Sequence, residues 1–82
     1  MNKEELLTKV VEKYNENLLK HRLATKSVDA ILYGSRRRAY ADVISMMTGL
    51  TSREIFEKFS KYTPSEFEAM RKEHIKNNNN YE

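Results

Sequence analysis

Val28-Asp29-Ala30-Ile31-Leu32-Tyr33-Gly34-Ser35-Arg36-Arg37-Arg38-Ala39-Tyr40-Ala41-Asp42-Val43-Ile44-Ser45-Met46-Met47-Thr48-Gly49-Leu50 is the stretch on which the fold turns. Val28, Leu32, Ser35, Ala39, Val43, Met46 and Leu50 recur every three or four residues, the spacing of one face of an α-helix rather than the alternation of a strand. The phase passes through Gly34-Ser35 unbroken, which favours a single helix over about 28–48. A break at Gly34, with Ser35 capping a second segment, is the alternative. Glycine inside a helix costs about 1 kcal/mol relative to alanine. Gly34 is therefore expected on the solvent side or where another backbone comes close. Gly49 supplies the stop.

A second stripe, Tyr33, Arg36, Arg37, Tyr40, Ile44 and Met47, runs beside the first. Together they cover more than half of the helix circumference, which marks a helix that is central or buried on two sides. A chain of 82 residues has little left to cover both sides. Self-association through this helix is therefore expected, with Tyr40, Ile44 and Met47 at the interface.

Outward from this helix, the flanking segments are also helical. Asn2 can cap a first helix over about 3–21, with Glu5 completing a capping box. Leu6, Leu7, Val10, Val11, Tyr14 and Leu18 then share one side. After Gly49, Thr51 caps a third helix over about 52–61, Glu54 closes its box, and Leu50 and Ile55 are placed as a hydrophobic staple. Thr63, Pro64 and Glu66 repeat the arrangement for a fourth helix over about 64–76, with Tyr62 and Phe67 as its staple. The expected fold is an all-α bundle of four helices, two long and two short. It forms one domain over 1–76, and residues 77–82, with the Asn77–Asn80 run, are expected to be disordered. Its core should contain Leu7, Val10, Val11, Tyr14, Leu18, Leu32, Ala39, Val43, Met46, Leu50, Ile55, Phe59 and Phe67.

Composition narrows function. Cysteine is absent and there are two histidines, so disulfides are excluded and a four-ligand zinc site is not expected. No apolar run approaches the roughly 20 residues that cross a bilayer. The N-terminus lacks the basic-then-apolar order of a secretion signal, so a cytoplasmic location is expected. His21 and His74 are not linked by any motif to a serine and a carboxylate, and the glutamates are distributed as caps and solvent-facing charges. Neither a catalytic residue nor a cofactor is therefore assigned, and the chain reads as a binding protein rather than an enzyme.

The net charge of +3 is unevenly placed. Lys20, Arg22, Lys26, Arg36, Arg37 and Arg38 stand against the single acid Asp29 in residues 20–40, a pattern that attracts phosphates, acidic proteins or anionic lipid. Tyr33, Arg36, Arg37 and Tyr40, with Lys20, Arg22 and Lys26, form the candidate partner- or anion-binding set. Interleaved tyrosine and arginine suit protein interfaces and also base stacking. The plainer reading packs the tyrosines on a neighbouring helix and leaves Arg38 in a weak surface pair with Asp42.

Phe59-Ser60-Lys61-Tyr62-Thr63-Pro64-Ser65-Glu66-Phe67 resembles the end of the second helix-turn-helix of AraC-type regulators, which carry a similar Thr-Pro-Ser-Glu-Phe. The resemblance covers nine residues, and the family has a few more between the tyrosine and the threonine. Capping chemistry accounts for Thr-Pro-Ser-Glu by itself, so no DNA-contacting role is carried over. The chain as a whole resembles small accessory proteins of phages and mobile elements, which implies a regulator or inhibitor of a host machine. The expected function is protein–protein binding as an inhibitor or adaptor. The alternative is a nucleic-acid or nucleotide-binding regulator that uses the basic 20–38 segment. Helices 3 and 4 are close to charge-balanced, which offers a long duplex little attraction.

Overall fold

A computed structural model describes residues 1–79. It contains four helices: α1 (Lys3–Leu23), α2 (Ser27–Thr48), α3 (Ser52–Phe59) and α4 (Pro64–Asn79). Three residues join α1 to α2, which makes them antiparallel neighbours. They form the main packing pair, while α4 rests on α1 and α3 on α2. Among the described residues there is no strand, and no helix is long and apolar enough to cross a membrane.

The caps follow from side-chain chemistry. Asn2 Oδ1 accepts from the Glu5 N–H at 2.8 Å. At the head of α3, Glu54 N–H donates to Thr51 Oγ1 and Thr51 N–H donates to a Glu54 carboxylate oxygen. Thr63 and Glu66 exchange the same two bonds ahead of α4. The Tyr62 and Phe67 rings meet edge to face at 5.6 Å, closing the expected staple. Gly49 adopts φ 76° and ends α2 in the left-handed conformation that glycine tolerates.

α2 is continuous through Gly34 and Ser35, which settles the alternative of a break. Gly34 lies neither on the solvent side nor beneath another backbone. It faces the imidazole of His21, whose Cε1 and Nδ1 would be 2.9 Å from a Cβ at this position. α4 passes the expected end near 76 and carries Asn77–Asn79 in helix, since asparagine's modest helix propensity suffices for a last turn. The remainder of the expected disordered tail, 80–82, lies outside the described residues.

The buried core is Tyr14, Leu18, Ala41, Ile44, Ile55 and Phe67, with Leu7, Val10, Val11, Leu19, Tyr40, Leu50, Phe56, Phe59, Tyr62 and Met70 packed around it. This corrects the expected facing of α2. Leu32, Ala39, Val43 and Met46 were assigned to the core and are exposed, while Ile44, assigned to an intermolecular surface, is fully buried. Small residues explain the choice. Ala30, Gly34 and Ala41 lie on the side of α2 that meets α1 and let the two helices approach closely. Ile44 and Tyr40 fill the space beside them.

Candidate interaction surface

Turning Ile44 inward leaves the first stripe of α2 outside. Val28 is 74% exposed, Ile31 69% and Met46 85%, and Leu32 and Val43 are exposed as well. Successive residues turn by about 100°, so these five share one side with the exposed Ser35 and Ala39. The strip runs about 27 Å along the helix, at 1.5 Å per residue. Exposed apolar residues gathered on one side of a helix, here interrupted by Ser35 and Asp42, make a candidate contact surface. Arg38 and Asp42, both exposed, stand four residues apart, Arg38 along one edge and Asp42 just inside it. They are not joined by an ion pair: the pairs among the described residues are Lys13–Glu16, Lys20–Glu16, Arg53–Glu57 and Lys72–Glu68.

Along the other edge, Tyr33 is half-buried and sits between two cations. Lys20 Nζ is 5.4 Å from the ring centroid and Arg36 Cζ 5.8 Å. Lys20 also holds Glu16 at 3.3 Å, and that hydrogen bond, before any other influence, lowers the Glu16 pKa. The remaining basic residues go elsewhere. Arg22 lies over the Phe67 ring at 5.7 Å, and its carbonyl accepts from Arg71 Nη1. Lys26 is exposed at the start of α2.

Arg37 is half-buried and turns toward the Tyr14 hydroxyl. Burial raises the Tyr14 pKa, and the nearby Arg37 charge pulls against that shift without cancelling it. Arg37 therefore lies at the α1–α2 junction and also borders an open depression that Arg38 and Asp42 line. Of the expected binding set, Lys20, Tyr33 and Arg36 come together, while Arg22, Lys26 and Arg37 do not join them. Of the expected oligomer interface, Ile44 is buried within the chain. Tyr40 and Met47 are half-buried, Tyr40 against the core. Of the strip residues, Leu32, Val43 and Met46 were expected in the core, Val28 was expected on the same stripe, and Ile31 was not singled out. The small-residue series Ala30, Gly34, Ala41 was the available signal for the true facing.

His21 is committed structurally. Its Nδ1 lies 2.9 Å from the Ala30 carbonyl; a carbonyl only accepts, so Nδ1 carries the hydrogen. Beside it, Ile31, Ser35, Arg38 and Asp42 border a shallow open depression. Among the described residues no three His, Asp or Glu side chains are grouped to hold a metal ion.

Comparison of the chain with protein-family models, with curated proteins and with solved structures finds no match.

Proposed function

We propose that this protein is a non-enzymatic helical accessory protein, an inhibitor or adaptor that acts by protein–protein binding through α2. The observation that carries the reading is the exposed strip Val28, Ile31, Leu32, Val43 and Met46, which has no cover within the chain. Burying apolar surface yields about 25 cal/mol per Å², so a partner laid along this strip gains affinity chiefly from area. The Lys20–Tyr33–Arg36 group beside it would orient an acidic partner, since rim charges govern encounter and register more than affinity. The scatter of the other basic residues over Phe67, Tyr14 and the start of α2 speaks against one continuous track for a phosphate backbone.

The test is capture from cell lysate, with and without nuclease, by the wild-type chain and by Met46→Glu. Met46 is almost fully exposed, so its replacement leaves the core intact. Captured proteins should survive nuclease treatment and be lost with Met46→Glu. Material released by nuclease, or an identical set captured by the variant, would overturn the reading.

A further inference from the structure

We infer that the occupant of the α2 strip is a second copy of this chain, paired antiparallel across a two-fold axis near position 37. The inference rests on the strip being a protein-contact surface and names what contacts it. The first argument is area. The chain exposes 6186 Å², whereas a compact monomer of 9.7 kDa should expose about 5,100 Å². The excess, on the order of 1,000 Å², belongs to the whole chain, of which the α2 strip is one part, and a standard stable interface would cover roughly 800 Å² of it per partner. The shape agrees: the principal extents are 48 × 24 × 22 Å and the radius of gyration is 14.2 Å, against about 12 Å expected for this length.

The second argument is the symmetry of the strip. Val28 and Met46 are equidistant from position 37, as are Ile31 and Val43, and as are Ser35 and Ala39. The large residues lie toward the ends and the small ones at the middle. Reversing a second copy over the first sets Val28 against Met46, Ile31 against Val43, and Ser35 against Ala39, with Leu32 against Asp42 as the unmatched pair. The small waist lets the axes approach to about 8 Å, the close end of helix packing. The three-and-four spacing of the strip is that of a coiled-coil seam. A parallel pair would not require spacing matched about a midpoint, and it would align the two helix dipoles rather than oppose them. Arg38 falls at the edge, where an interface is polar, and Asp42 lies just inside it, in line with Ile31 along the helix.

The chain has no cysteine, so Val28→Cys and Met46→Cys are clean reporters at two well-exposed positions. At high micromolar concentration, oxidation of the mixed variants should give a disulfide-linked dimer. Either variant alone should give none, because like positions lie about 27 Å apart in the antiparallel pair. Absence of cross-linking in the mixture, or equally efficient cross-linking of Val28→Cys alone, overturns the arrangement. If the mixture fails while Met46→Glu still abolishes lysate capture, the strip serves a different protein and only the second copy is withdrawn. If Met46→Glu changes neither result, the contact reading falls too.

Discussion

A Cβ at position 34 would lie 2.9 Å from the ring of His21, and that ring is fixed by the 2.9 Å contact between its Nδ1 and the Ala30 carbonyl. A side chain at position 34 would therefore require the His21 ring to shift. The histidine cannot move aside without giving up its hydrogen bond.

The sign of the Gly34→Ala effect follows from this. On an open helix surface the change would stabilise by about 1 kcal/mol. Here the overpacking should win, with a net loss of about 1–3 kcal/mol in denaturant unfolding. With His21→Ala in the background, the same substitution should become neutral or stabilising. Additive effects in the double variant would contradict the relationship.

Asn15 ties α1 to the turn between α3 and α4. Its Nδ2 donates to the Phe59 carbonyl at 2.9 Å, and its Oδ1 accepts from the Lys61 N–H at 2.9 Å. Asn15→Ala orphans both backbone groups and should cost about 1–3 kcal/mol. Asn15→Asp, which keeps the acceptor for Lys61 and loses the donor to Phe59 and Val11, should fall between wild type and Asn15→Ala in urea titration.

The three adjacent arginines should separate in a stability measurement. Arg37 is half-buried with its charge near Tyr14, and Arg37→Ala should destabilise by about 1 kcal/mol, chiefly through lost packing of its stem. Arg36→Ala and Arg38→Ala should stay within about 0.5 kcal/mol, as exposed positions do. A uniform response would mean that Arg37 is as free as its neighbours.

Acid should weaken the fold in part through the α3 cap. The Thr51 backbone N–H holds the Glu54 carboxyl below its ordinary 4.5. A folded-state pKa below the unfolded one contributes stability that is complete above 4.5 and is lost as pH falls through the folded value. The deficit of Glu54→Gln relative to wild type should therefore be present near pH 7 and shrink as pH falls below 4.5 and through the lower folded-state value. A deficit that stays constant over that range would assign the effect to shape rather than charge.

The local features of this fold are legible in the residues. Asn2, Thr51 and Thr63 announce three helix starts because capping depends on neighbours three positions away, and Gly49 announces a stop for the same reason. The facing of α2 is not legible from periodicity, since both stripes are apolar and the period is identical for either. It is decided by how closely Ala30, Gly34 and Ala41 admit α1, a tertiary matter. The Asn15 tie joins residues more than forty positions apart and leaves no local trace. For the candidate surface, the grouping of Lys20 with Tyr33 needed the α1–α2 pairing. The strip residues were visible as a pattern and misassigned in direction.

The central claim is that Ile44 faces the chain's own core and Met46 faces a second chain. Sedimentation equilibrium of the wild type and Met46→Glu at high micromolar concentration tests it most directly, with circular dichroism verifying that both remain helical. The wild type should sediment at twice 9.7 kDa and the variant at the single-chain mass. A wild type that stays monomeric, or an association that survives Met46→Glu, would contradict it.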